Sequence, residues 1–288
     1  MRTENSLLRS QVARRMLIFF MLSTFIPIFS LAFLSYSESN DMLLRKAHHQ
    51  LSAAGETYNK AIFERLLMIE QVFQVSTQFS DQSHLSEISN QFKKRFRNLT
   101  IVLPKGEPIN LHGTFSLAEK INLTDAEIRH LSSERTIIKI ENVAGEIRLL
   151  LLKTLNPQIP DHGLVIAEII PDYLWGDPST FSYNLEQCVL SSQYVTFFCT
   201  HQSDITFDKE LIAPLTQEIK GEFDWNQHDD HYIANYNEVF LEAHFLTPRW
   251  VIVTLQSKAD AIGNTSNLNT IFWGSVVLSI LMIMLFSM

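Results

Sequence analysis

The 288-residue chain is short of most of the features that mark enzymes, metal proteins and nucleic-acid binders. It has only two cysteines, Cys188 and Cys199, which excludes a C-x-x-C metal cluster. Charged residues make up 19% of the chain, below the roughly 25% of ordinary soluble domains. The formal net charge is -8, and no basic stripe offers a footing for nucleic acid. There is no G-x-S-x-G, no G-x-x-x-x-G-K-[ST], no H-E-x-x-H and no dinucleotide glycine fingerprint. No enzymatic activity and no cofactor are expected. Low-complexity runs and internal sequence repeats are also missing.

What the chain does have is apolar residues, 46% of the total with 20 Phe, collected at its two ends. Residues 16–36 (MLIFFMLSTFIPIFSLAFLSY) hold no charge over 21 positions. As a helix they would span about 31 Å, the thickness of a hydrocarbon core. Pro27 lies inside, which a membrane helix tolerates better than a soluble one. Arg2, Arg9, Arg14 and Arg15 precede it against the single acid Glu4, a bias that keeps residues 1–15 in the cytoplasm. A cleaved signal peptide would have a shorter apolar core and a small-x-small site after it. Residues 271–288 (IFWGSVVLSILMIMLFSM) form a second uncharged stretch of 18, with Trp273 near the outer interface. Two spans place residues 37–270 outside the inner membrane. The sequence ends without the Lys/Arg cluster that normally follows a last span. A truncated, non-signalling remnant that modulates another receptor is therefore the alternative expectation.

Between the spans, residues 37–91 read first as a long helix. Leu43, Leu44, Ala47, Leu51, Ala54, Tyr58, Ile62, Leu66, Ile69 and Phe73 recur at three-and-four spacing. From residue 92 the period changes. Arg97–Leu103 and Ile109–His112 flank a Pro-Lys-Gly-Glu-Pro turn, and Thr124-Asp-Ala-Glu127 is a capping-box pattern. Thr136–Glu141 and Ile147–Lys153 form a second hairpin, and Gly163–Ile170 reads as a fully apolar strand.

The same order then returns. Gln187–Leu190 and Tyr194–Thr200 form a hairpin, and Asp208 opens a helix expected to run to Lys220 with Gly221 as its stop. Strands follow at Glu222–Trp225, His231–Tyr236, Val239–Phe245 and Trp250–Gln256. The expected fold is α+β, with two transmembrane helices flanking a long N-terminal helix and two tandem PAS-like antiparallel-sheet modules, 92–170 and 171–268. Pro171 and Pro178 bracket the joint between them.

This arrangement resembles the double Cache sensor domain of bacterial transmembrane receptors. Residues 163–176, GLVIAEIIPDYLWG, look like the family stretch in which a strand ends at an Asp-Tyr-Leu-Trp crossover. Residues 223–256, from FDWNQHDDHYIANYNEVFL to LTPRWVIVTLQ, look like its membrane-proximal module. The resemblance implies an unidentified small-molecule ligand held by the membrane-distal module, a homodimer formed through the long helix, and a signal carried across the inner membrane to a cytoplasmic output.

Four polar features stand out. Asp172 and Tyr173, at the strand-to-crossover junction, are candidate ligand contacts, against packing between modules. His228 and His231 in His-Asp-Asp-His could ligate zinc, but a strand-to-strand turn uses the same residues, and no metal is expected there. Cys188 and Cys199 sit on the two arms of one hairpin and are either a disulfide pair or two buried thiols. His48 and His49 read as a solvated helix face.

Overall fold

The computed structural model describes residues 11–78, 92–104, 107–113, 122–143, 145–159, 163–182, 184–201, 205, 207, 209–215, 218–227, 230–262, 273–274 and 276–277. The chain divides into two compact units, residues 50–257 on one side and residues 1–49 with 258–288 on the other.

Helix α1 covers Gln11–Gln78, so the helical pattern extends N-terminally through residues 16–36. Among the described residues no helix is long and apolar enough to cross a membrane. Several side chains of 16–36, and all of 271–288 except 273–274 and 276–277, lie outside them. So do residues 79–91 of the expected long helix.

The unit 50–257 carries two five-stranded antiparallel sheets. The first is built from β1 (Phe96–Val102), β2 (Ile109–His112), β3 (Ile137–Val143), β4 (Glu146–Thr154) and β5 (Leu164–Ile169), in the order β2-β1-β5-β4-β3. Helix α2 (Asp125–Ser132) enters between β2 and β3, and α3 (Pro171–Trp175) leaves β5. The second sheet is built from β6 (Glu186–Leu190), β7 (Thr196–Cys199), β8 (Lys220–Gln227), β9 (Asp230–Val239) and β10 (Trp250–Ser257), in the order β7-β6-β10-β9-β8. The two orders are the same: hairpin strand, first strand, last strand and then the middle pair.

The C-terminal part of α1 binds both sheets into one core. Tyr58, Ile62, Leu66, Ile69 and Phe73 bury one stripe of the helix. It packs against Phe96, Leu151, Val165 and Ala167 of the first sheet and Val189, Trp250 and Ile252 of the second. Fully burying aliphatic or aromatic side chains of this kind contributes on the order of 1.5–3 kcal/mol each. The helix comes close to the second sheet at Gly55, where a Cβ would stand 2.8 Å from Asn237 Nδ2.

Two expectations are corrected. The helix expected to run from Asp208 to Lys220 is α4, Lys209–Leu215, and Gly221 lies inside β8. Gly221 serves the strand instead, because a Cβ there would meet the Tyr236 ring at 2.8 Å. Val239–Phe245 is likewise not a separate strand. β9 runs through Val239, and Glu242–Phe245 forms a short helix, α5, closed by Leu246 at φ 47°.

Candidate functional site

One face of the first sheet packs on α1, and the other faces away from it. On that outer face α2 covers an apolar patch of Leu131, Ile137, Leu150, Leu152 and Ile166. The local sequence builds α2 through its cap. Glu127 N donates to Thr124 Oγ1 at 3.3 Å, and Thr124 N donates to Glu127 Oε2 at 2.7 Å. Lys139 Nζ on β3 lies 3.0 Å from Glu127 Oε1, which pins the helix start to the sheet.

Beside that patch the same face turns polar. Glu168 on β5 lies opposite Leu150 on β4 and Asn98 on β1, and its side chain is only 3% exposed. Asn98 Nδ2 donates to Glu168 Oε2 at 2.5 Å, and Arg97 Nη1 donates to Oε1 at 3.3 Å. Arg148 Nε is 4.0 Å from the same oxygen, beyond hydrogen-bond reach, and is buried without an acceptor among the described residues. Next to them Thr100 donates to Asn110 Oδ1 at 2.7 Å. The chain after β2 bends over Asn98 at Gly113, where φ is +67° and an added Cβ would stand 2.1 Å from Asn98 Oδ1. Only glycine fits that approach.

A carboxylate buried this deeply needs hydrogen-bonding or charged partners, because a buried polar group without them is costly. Arg97 divides its guanidinium between Glu168 and the exposed Glu146, the latter at 2.9 Å. The Glu146 hydrogen bond raises the Arg97 pKa. Partial burial works against it, and the charges of Glu168, Glu146 and Asp172 reinforce the rise. In return Arg97 holds the Glu146 carboxyl below its ordinary range. The face therefore offers an acceptor in Glu168 and, among the described residues, an unsatisfied donor in Arg148, while the apolar patch beside them is closed under α2. Opposite charges side by side suit a small zwitterion.

The candidate residues named from the sequence fall around this site in different ways. Asp172 is exposed at the start of α3, close enough to act on the charge of Arg97. Tyr173 turns elsewhere: its hydroxyl accepts from Arg95 Nε at 3.0 Å, and the guanidinium lies 5.1 Å from the ring centroid. His228 lies outside the described residues. His231 is exposed on β9, and its Nδ1 shares a hydrogen bond with Asn226 Oδ1 on the neighbouring strand. Cys188 and Cys199 stand opposite each other on β6 and β7 and are joined. Among the described residues, the close group of metal-type ligands is Glu186, Cys188 and Cys199, and the disulfide occupies both sulfurs.

Sequence reasoning misses Glu168, Asn98 and Arg148 because 163–170 reads as an apolar strand. The available signal is a lone carboxylate inside that strand. Strand register, which brings Asn98 and Arg148 beside it, is not readable from spacing alone.

No protein-family model and no curated protein matches the chain. Solved structures do share its fold. The ligand-binding domain of the Campylobacter jejuni chemoreceptor Tlp3 in complex with L-norvaline aligns at TM-score 0.54 and 8% identity, over 76% of this chain and 94% of that one. The ligand-binding domain of the Pseudomonas fluorescens chemoreceptor CtaA in complex with L-isoleucine aligns at TM-score 0.53 and 11% identity, over 80% and 99%. The extracellular domain of the putative histidine kinase rpHK1S-Z16 aligns at TM-score 0.50 and 11% identity, over 74% and 95%. The fold is that of double Cache sensor domains.

Proposed function

We propose that this chain is the ligand-sensing region of a membrane receptor and that its ligand binds the outer face of the first sheet. The observation that carries the proposal is Glu168, a buried carboxylate on that face with the unsatisfied Arg148 Nε beside it. A ligand ammonium would sit on Glu168 and a ligand carboxylate on Arg148 and Arg97, both charge-assisted contacts. An α-amino acid meets these requirements, and two of the solved structures with this fold hold L-norvaline and L-isoleucine.

The first sheet is read as the membrane-distal module and the second as the membrane-proximal one, with residues 37–270 outside the inner membrane. Phe19, Phe20, Leu31 and Phe33 on α1 leave 65–74% of their surface open, an apolar exposure that favours a lipid surround over water. A ligand that prefers one arrangement of the first sheet shifts a two-state equilibrium by its differential affinity. α1, paired with a second copy, would carry the shift across the membrane as a displacement on the order of 1–2 Å.

Topology is tested with Lys94→Cys, an exposed position, labelled in intact cells by a membrane-impermeant maleimide. Labelling is expected; labelling only after lysis contradicts the proposal. Sensing is tested by melting the purified full chain with each of the twenty L-amino acids. At least one should raise the midpoint, since a ligand of the folded state stabilises it. A flat response across all twenty contradicts the ligand class.

A further inference from the structure

A cavity lies apart from that face, between the middle of α1, the segment that links the two sheets and Gln187 of β6. It is a cleft of ≈ 480 Å³. Ala53, Ala54 and Ala61 of α1 and Phe181 and Leu185 of the link give it apolar walls, while Thr57 and Ser182 supply hydroxyls. Arg65 is the charged residue lining it.

Arg65 has an unusual set of partners. Its Nη1 donates to the Leu174 carbonyl at 2.9 Å, and among the described residues it pairs with no carboxylate. The link is shaped around it. Gly176 takes φ +94°, and a Cβ there would come within 3.1 Å of Arg65 Nη1. Tyr58, about two turns earlier on α1, fixes the same stretch by donating to the Trp175 carbonyl at 2.9 Å and by meeting Phe181 edge-on at 5.4 Å. Burial raises the Tyr58 pKa above its ordinary value, with the Arg65 charge opposing, so the phenol stays neutral and serves as a donor.

A guanidinium has five N–H donors in a planar fork that fits a carboxylate. Here the Leu174 carbonyl engages it once, and Arg65 lines the cleft together with Ala61, one turn earlier on α1. A phosphate would call for a second cation, and the cleft lining has none. We propose that this cleft binds a small monocarboxylate with an apolar tail, the carboxylate on Arg65 and the tail over the alanines of α1. The site shares no residue with the Glu168 face. Its occupant would bridge α1 and the inter-sheet link, and so would act on the helix without passing through the first sheet.

The test is calorimetric titration of the purified full chain in detergent, micelle blank subtracted, with hexanoate, hexanol and inorganic phosphate. Hexanoate should bind wild type and bind at least tenfold more weakly to Arg65→Met. Ala61→Phe, which fills the cleft and leaves the charge, should abolish binding. Glu168→Gln should bind hexanoate as wild type does, so failure of the amino-acid site and failure of this one are separable. A thermal melt checks that each variant folds, and Ala61→Phe carries the test if Arg65→Met does not. No heat from hexanoate on wild type overturns the proposal. So does hexanol or phosphate binding as tightly as hexanoate, or unchanged binding to every folded cleft variant.

Discussion

His244 on α5 reaches from the second sheet's side of the unit to Glu70 on α1, its Nε2 2.6 Å from Glu70 Oε2. The other oxygen of Glu70 accepts from Thr136 at 2.5 Å, immediately before β3. Glu70 is buried, so one carboxylate ties α1, the first sheet and the β9–β10 connection together. The connection is held at two further points. His130 Nε2 lies 3.0 Å from the His244 carbonyl, and Arg135 Nη1 donates to the Ala243 carbonyl at 3.0 Å.

Breaking this junction should destabilise the fold. Glu70→Ala strands the Thr136 hydroxyl and the imidazole, for a loss of about 1–3 kcal/mol. His244→Ala should lose less, because its ring is 44% exposed. A double-mutant cycle in urea should return a coupling energy of about 0.5 kcal/mol or more; additive losses would mean that the two residues do not interact.

The α2 cap should make stability depend on acid. Burial alone would raise the Glu127 carboxyl, but hydrogen bonds from Thr124 and Lys139 outweigh it and leave the pKa below its ordinary 4.5. A carboxylate with a lowered folded pKa contributes stability that is complete above the unfolded value and lost as pH falls through the folded one. Glu127→Gln should therefore flatten the fall in stability below pH 4.5. Thr124→Ala should cost about 1 kcal/mol at neutral pH. Urea melts at several pH values check both.

The disulfide closes a short loop, with a sequence separation of 11 between Cys188 and Cys199. Loop-closure entropy gives about 2–3 kcal/mol for a bond of that span. Cys188→Ala with Cys199→Ala should lower the urea midpoint accordingly, and a reductant should shift wild type but not the double variant. If reductant has no effect on wild type, the two thiols are not bonded in the purified protein.

Trp250 anchors the shared core. It is 1% exposed, with the Trp175 ring at 5.4 Å and the Phe197 ring at 5.7 Å. Trp250→Ala should cost about 3–5 kcal/mol. Its indole N–H has no acceptor among the described residues, so Trp250→Phe gives up no hydrogen bond seen there and should cost markedly less. Equal losses in a chemical melt would contradict the packing described.

Much of this fold is legible in the sequence because its signals are local. Thr124-Asp-Ala-Glu127 spells a capping box, and the structure has both of its hydrogen bonds. The spacing of Tyr58, Ile62, Leu66, Ile69 and Phe73 marks the face that α1 buries. Gly221 misleads because a glycine after a helical pattern has two uses, and only the position of the Tyr236 ring decides between them. Val239–Phe245 misleads because Leu246 can end a turn of helix only through a left-handed backbone, which no local residue type announces. The Glu168 site needs pairing across three strands, information carried by register rather than by residue order.

The proposed recognition holds a zwitterion between Glu168 and Arg148. Calorimetric titration of the full chain with the twenty L-amino acids, repeated on Glu168→Gln and Arg148→Met, measures that directly. At least one amino acid should bind wild type and bind at least tenfold more weakly to each variant, as expected when a charge-assisted contact worth about 1.4 kcal/mol or more is lost. Binding of equal strength in wild type and both folded variants would refute it.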